Sequence, residues 1–131
     1  MNIFLAFIIT IIGSYLIGSI PWAIITGKLF RNMDVREYGS GNAGATNVFR
    51  VLGAKIAALV AILDAAKGLS AVFITRYALL PNIPELSDNL RIFVLICAAI
   101  FVILGHIFTV FAGFKGGKGV AAGAGALFAL L

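Results

Sequence analysis

Three long apolar runs, separated by polar segments, constrain this chain most. From Met1 to Gly27 there is no charged side chain, and a helix needs about 20 residues to cross a hydrocarbon core. Comparable runs follow at 54–80 and from about 92 to 113. Charged residues make up only 11% of the chain, and the mean hydropathy is +1.11, whereas a soluble domain has about 25% charged residues. The sequence predicts an all-α, polytopic helical membrane protein.

A fourth apolar run begins at Val120 and continues to Leu131. At 1.5 Å per residue it reaches roughly 18 Å, which is short of the roughly 30 Å of hydrocarbon. Its small residues suit close helix packing. We therefore expect three full spans and a partial fourth in a single integral membrane domain, residues 1–131. We also expect that domain to be the N-terminal part of a longer bundle, truncated at its C-terminus.

The distribution of basic residues predicts the orientation. The first and third connections between the runs hold most of them: Lys28, Arg31, Arg36, Arg50, Lys55, Lys115 and Lys118. The second connection has only Arg76 and Arg91 near its ends. Because positive charge marks the cytoplasmic side, we expect the N-terminus outside and both basic connections in the cytoplasm. The net charge of +5 then reflects a membrane face, and we expect no nucleic-acid partner.

The first connection, residues 28–53, contains the run 39–47, here called the first glycine loop, and then Arg50. Glycines let consecutive backbone N–H groups surround an anion, and an arginine supplies opposing charge. We interpret the loop as a phosphate-binding site, with a flexible linker as the alternative. The candidate residues are Gly39, Ser40, Gly41, Asn42, Gly44, Thr46, Asn47 and Arg50. The run also reads G-x-G-x-x-G, but a dinucleotide site needs a strand before it, and here a membrane span precedes it.

The third connection contains residues 114–119, here called the second glycine loop. Its candidate anion ligands are Lys115, Gly116, Gly117, Lys118 and Gly119. A nucleotide-binding P-loop would need Ser or Thr at 119, so ATP hydrolysis is not supported. The lysines could also be plain anchors at the membrane face. Since three glycines flank them at the start of a helix, we favour contact with an anion.

Three ionisable side chains lie inside the spans. His106 precedes the second glycine loop and is either a satisfied polar group or a base or donor to phosphate. Asp64 and Lys67 are three residues apart on one helical face; they either neutralise each other or support the site from nearby. There is no second His and no Cys/His cluster, so we expect no metal site. Cys97 reads as a small buried hydrophobe.

Two segments resemble motifs of a known family, the bacterial acyl-phosphate glycerol-3-phosphate acyltransferases (the PlsY family). Residues 39–50 resemble the first motif, and residues 105–120, from Gly105-His106 through Lys118-Gly119-Val120, resemble the second. Weaker similarities are Gly18-Ser19-Ile20-Pro21 and 64–68. Thr109 and Ala122 depart from the residues usual in that family, but neither change removes a charged group.

The resemblance implies an integral enzyme of the bacterial cytoplasmic (inner) membrane with about seven spans and no cofactor. Such enzymes transfer a fatty acyl group from acyl phosphate to the 1-hydroxyl of glycerol 3-phosphate at the lipid surface, giving lysophosphatidic acid. Ser40, Arg50 and a lysine of the second glycine loop would carry the activity. Either His106 or the donor's own phosphate could accept the proton. The alternatives are a small-anion transporter and a non-catalytic membrane fragment.

Overall fold

The computed structural model describes all 131 residues, and its regular secondary structure is entirely helical, which confirms the predicted fold class. Three segments are long and apolar enough to cross a membrane: Ile3–Arg31, Ala54–Asn82 and Asp88–Ala112. Val120–Leu130 is a shorter apolar helix. The α-helices are α1 Ile3–Gly18, α2 Trp22–Arg31, α3 Ala45–Leu52, α4 Ala54–Ile74, α5 Asp88–Ile107 and α6 Val120–Leu130. Short 3₁₀ turns cover Val35–Glu37, Leu80–Asn82 and Val110–Ala112, and a π-helical turn, Thr75–Leu79, continues α4.

The first span is broken between α1 and α2, next to Pro21. Proline has no N–H and its ring clashes with the preceding turn, so backbone carbonyls are left without helical partners. Inside a bilayer such groups need partners from the protein. The Thr109 hydroxyl donates to the Ser19 carbonyl, and Lys67 Nζ donates to the Ile20 carbonyl over 2.8 Å. The break is therefore joined to both α4 and the segment after α5.

The membrane helices approach one another through small residues. A Cβ atom at Gly68 of α4 would overlap the Ala122 carbonyl of α6, and one at Gly125 of α6 would overlap the Ala65 carbonyl of α4. Close approach of this kind gains dispersion energy that larger side chains would prevent. Large apolar side chains such as Phe4, 77% exposed, lie on the outer surface of the spans, where lipid would surround them.

The polar connection after the first span contains more helix than the sequence predicted. Helix α2 continues to Arg31, and Asn32 ends it in the left-handed conformation at φ 50°. Helix α3 then occupies Ala45–Leu52, inside the segment for which the sequence analysis expected a glycine-rich loop. Val48 and Leu52 are buried against α2 and α4, because α3 is strongly amphipathic. Arg50 therefore lies on a helix that the core holds in place.

Candidate functional site

Asn47 organises the first glycine loop from inside. Its side chain is buried, and Oδ1 accepts a hydrogen bond from the Ser40 N–H over 2.9 Å. The two hydrogens on Nδ2 are shared among the carbonyls of Val35, Tyr38 and Asn42, each 3.0 Å away. From the sequence, Asn47 is predicted to bind phosphate. In the structure its amide is engaged within the loop, so its contribution is to the shape of the loop.

Gly39 has a similar shaping role. It adopts φ +56°, in the left-handed region that favours glycine. A Cβ atom there would also overlap Oδ1 of Asn47. Beyond this turn, the hydroxyl oxygen of Ser40 accepts a 3.3 Å hydrogen bond from the Asn42 N–H. The Ser40 O–H remains available as a donor, since no protein acceptor is bound to it.

The second glycine loop folds back onto the end of α5. The N–H of Gly116 donates to the Ile107 carbonyl over 2.9 Å, and the N–H of Gly117 donates to the His106 carbonyl over 3.2 Å. A Cβ atom at Gly117 would overlap Nε2 of His106, so the loop lies directly on the imidazole ring. The sequence analysis expected these two N–H groups to face an anion, but here both bind backbone carbonyls.

Arg36, which precedes the first glycine loop, ties the first connection to the second glycine loop, and it was not among the site residues predicted from the sequence. Its Nη1 donates to the Ala112 carbonyl over 2.7 Å and to the Lys115 carbonyl over 3.1 Å. Its Nη2 pairs with Asp34 Oδ2 at 2.7 Å. Hydrogen bonding from Arg36 to the Asp34 carboxylate holds the pKa of that carboxyl below its ordinary value. Asp34 and Arg36 carry opposite charges only two residues apart, which indicates from the sequence that they can pair. Nothing local in the sequence indicated the contact with residues 112–115.

The predicted residues meet in one cavity of about 290 Å³, here called the loop cavity. Arg50 and Lys118 both line it, and neither forms an ion pair with the protein. Most of the apolar part of its wall comes from the start of α6. The full lining is Ser40, Asn42, Gly44, Ala45, Thr46, Asn47, Arg50, Asp64, His106, Lys118, Gly119, Val120, Ala121 and Ala124.

Other predicted residues lie outside the loop cavity. Lys115, Gly41 and Gly116 line a separate, more open depression beside Arg36. Gly39, Gly117 and Lys67 contact residues that line the loop cavity but do not line it themselves. The structure thus separates the two lysines of the second glycine loop, for which the sequence predicted the same role.

The inner end of the loop cavity differs from its outer part. Ser40, Thr46, Arg50 and Lys118 are exposed, whereas Asp64 is only 2% exposed and His106 is buried. Asp64 Oδ1 lies 3.1 Å from Lys67 Nζ and 3.7 Å from His106 Nδ1. The expected pairing of Asp64 with Lys67 is therefore present, and Asp64 also faces the site. The cavity can hold an anion between its outer cations, with a carboxylate and an imidazole below.

Comparison with known proteins matches the chain to one family. The family model described as "Glycerol-3-phosphate acyltransferase" matches residues 8–131. The glycerol-3-phosphate acyltransferase of Chlorobaculum tepidum is 47% identical over 127 residues, which is 96% of this chain and 55% of that protein. Glycerol-3-phosphate acyltransferase 2 of Bacillus anthracis is 52% identical over 118 residues, 90% of this chain and 56% of its own.

Two solved structures show the same fold. A crystal structure of PlsY, an integral membrane glycerol 3-phosphate acyltransferase, in its glycerol 3-phosphate form has a TM-score of 0.79 and 40% identity. The match covers 95% of this chain and 57% of the PlsY chain. The lysophosphatidic acid form has a TM-score of 0.75 and 39% identity, and the match covers 95% of this chain and 56% of that one. The chain spans about half the length of the curated relatives it matches. It belongs to the glycerol-3-phosphate acyltransferase family.

Proposed function

We propose that this protein transfers a fatty acyl group from acyl phosphate to the 1-hydroxyl of glycerol 3-phosphate, giving lysophosphatidic acid and phosphate for phospholipid biosynthesis. One observation carries the proposal: Arg50 of α3 and Lys118 before α6 open into the same cavity beside Ser40. The related PlsY structures, described as the glycerol 3-phosphate form and the lysophosphatidic acid form, support a substrate and a product of this kind.

The reaction brings two anions together, and that is its main electrostatic cost. Acyl phosphate is a mixed anhydride, so its phosphate is already a good leaving group. The acceptor oxygen must form a bond to the carbonyl carbon while the bond from that carbon to the phosphate oxygen breaks. Preorganised cations and donors lower the barrier to such a step. Arg50 can bind a phosphate through two parallel N–H groups, Lys118 acts as a point charge, and Ser40 donates its hydroxyl.

The hydroxyl proton of glycerol 3-phosphate needs an acceptor. Two groups can take it: the imidazole of His106, which lines the loop cavity, and the departing phosphate itself. A histidine base contributes about 100- to 10,000-fold to a rate. Because histidine is the side chain in this lining that ordinarily exchanges protons near neutral pH, we propose His106 as the acceptor, and substitution of His106 tests that assignment.

The acyl chain would leave the loop cavity along its apolar wall. Val120, Ala121 and Ala124 form that wall and belong to α6, which continues between the spans. A lipid-soluble donor can therefore reach the carbonyl site without entering water. With the basic connections in the cytoplasm, the cavity opens at the inner leaflet of the bacterial cytoplasmic membrane, and the N-terminus lies outside.

The test is a donor comparison on the product of the complete gene, purified and reconstituted in lipid nanodiscs. Radiolabelled glycerol 3-phosphate is supplied with palmitoyl phosphate, palmitoyl-CoA or palmitoyl-acyl carrier protein. We expect labelled lysophosphatidic acid only with palmitoyl phosphate. Product formed only from one of the other donors would refute the proposed donor, and no product from any of them would refute acyl transfer.

A further inference from the structure

The loop cavity contains one group that does not fit a site for phosphate alone, the carboxylate of Asp64. Its outer part presents the unpaired cations Arg50 and Lys118 together with the Ser40 hydroxyl. Its inner end presents Asp64, which is 2% exposed. An ionised carboxylate only accepts hydrogen bonds, and it repels a phosphate oxygen. The two ends of the cavity therefore select different chemical groups.

Asp64 also has unused capacity to accept hydrogen bonds. Lys67 Nζ forms an ion pair with Oδ1 at 3.1 Å, although not in hydrogen-bond geometry. Lys67 instead directs a 2.8 Å hydrogen bond to the Ile20 carbonyl, at the break in the first span. His106 Nδ1 lies 3.7 Å away, beyond hydrogen-bond distance. Oδ1 is closed to solvent and already faces the Lys67 ammonium, so a ligand in the cavity would reach the carboxylate through its other oxygen, Oδ2, which accepts no hydrogen bond from the protein.

We propose that Asp64 binds a hydroxyl group of glycerol 3-phosphate and thereby fixes the direction in which the substrate enters the cavity. This inference rests on the proposed function. Glycerol 3-phosphate has a phosphate at one end and two hydroxyl groups along the rest of its length, so its polarity matches that of the cavity. The phosphate lies among Ser40, Arg50 and Lys118, and a hydroxyl donates to Asp64. Lys67 is a positioning residue, because it balances the charge of Asp64 from outside the cavity.

The test measures coupling between Asp64 and each substrate hydroxyl, with equilibrium dissociation constants on the product of the complete gene in nanodiscs. The ligands are glycerol 3-phosphate, 3-hydroxypropyl phosphate, which lacks the 2-hydroxyl, and propane-1,2-diol 1-phosphate, which lacks the hydroxyl that would be acylated. The variant is Asp64→Ala with Lys67→Met, because removing a buried ion pair together avoids leaving one charge alone. Asp64→Asn is the second variant, and Glu37→Gln, outside the loop cavity, is the matched control.

We expect the unmodified protein and Glu37→Gln to bind at least one deoxy analogue about 10- to 100-fold more weakly than glycerol 3-phosphate, as for a hydrogen bond to a charged acceptor. The double variant should bind all three ligands within about threefold of one another. In Asp64→Asn, the ratio of dissociation constants between a deoxy analogue and glycerol 3-phosphate should be at least threefold smaller than in the unmodified protein. This variant still tests the proposal if the double variant does not fold. Retained binding of inorganic phosphate shows that the cavity is intact.

Two results would overturn the inference. If both variants keep the discrimination of the unmodified protein, Asp64 is only the counter-ion of Lys67. If the unmodified protein does not distinguish the analogues, no hydroxyl is recognised. Failure of the unmodified protein to bind glycerol 3-phosphate at all is a different outcome, because it removes the proposed function itself and this inference with it.

Discussion

The guanidinium of Arg36 lies 2.7 Å from the carbonyl oxygen of Ala112, 76 residues later in the chain. The same nitrogen also donates to the Lys115 carbonyl. A side chain of the first connection between spans thus sets the position of the segment that leads into Lys118. The separation of Arg50 and Lys118, on which the proposed binding of phosphate depends, is set in part by a residue that does not line the loop cavity.

We predict that Arg36→Ala lowers kcat/KM for glycerol 3-phosphate at least 10-fold, about 1.4 kcal/mol, because the second glycine loop loses its tie to the first connection. Arg36→Lys should recover little of this, since lysine lacks the planar fork of donors that reaches two carbonyls and a carboxylate together. Initial rates on the product of the complete gene measure both variants. Unchanged kinetics in Arg36→Ala would show that the link is dispensable.

The ion pair of Asp34 with Arg36 gives a pH signature. Since the pKa of folded Asp34 lies below its ordinary value of 3.8, the pair stabilises the fold fully above that value, and its contribution is lost as pH falls through the lower, folded pKa. Asp34→Asn should therefore unfold at a lower temperature than the unmodified protein near neutral pH. The two unfolding temperatures should converge towards about pH 2. A difference that does not change with pH would argue against this pair.

Arg50→Ala should lower turnover by about 100-fold or more, the scale expected for loss of one preorganised charged donor. Lys28→Ala and Arg31→Ala serve as controls, because both remove a basic residue of the same connection that does not line the loop cavity. We expect them to retain activity within about threefold. Equal activities in Arg50→Ala and the controls would contradict a phosphate site at α3.

The two lysines of the second glycine loop should behave differently. Lys118 lines the loop cavity, whereas Lys115 lines the depression beside Arg36. We predict a loss of about 100-fold in kcat/KM for Lys118→Ala and of less than about fivefold for Lys115→Ala. Parallel assays at several glycerol 3-phosphate concentrations compare them. The reverse order would place the anion in the outer depression.

His106→Gln tests the proton acceptor. We expect kcat to fall about 100-fold or more, with a smaller change in KM, because the loss of a base acts on the chemical step. The hydrogen bond from Gly117 is to the backbone carbonyl of residue 106, so the fold of the second glycine loop should persist in the variant. A loss below about 10-fold would assign the proton to the departing phosphate.

Much of this architecture can be predicted from local sequence. The uncharged run before Lys28 and the later apolar runs predict the three spans, and the structure confirms them. The distribution of Lys and Arg together with the two glycine-rich segments was enough to expect Ser40, Arg50 and Lys118 near one another. The prediction of the spans succeeds because hydrophobic length acts residue by residue and depends little on the partner.

Features that depend on a distant partner could not be predicted in this way. The glycines before Ala45 suggested an open loop, but burial of Val48 and Leu52 stabilises a helix there. Lys115 and Lys118 look alike in sequence, and only the path of the backbone gives them different surroundings. Asn47 looked like an anion ligand because its amide is polar. Its actual partners include the carbonyl of Val35, 12 residues earlier.

The glycine contacts between α4 and α6 have a consequence at the membrane surface. A Cβ atom on Gly68 or Gly125 would overlap the backbone of the facing helix, so a larger residue at either position must move α6 relative to α4. Helix α6 begins two residues after Lys118, so a shift of α6 would be passed on to that ammonium group. Enlarging either glycine would therefore displace a cation of the loop cavity while leaving every polar residue unaltered.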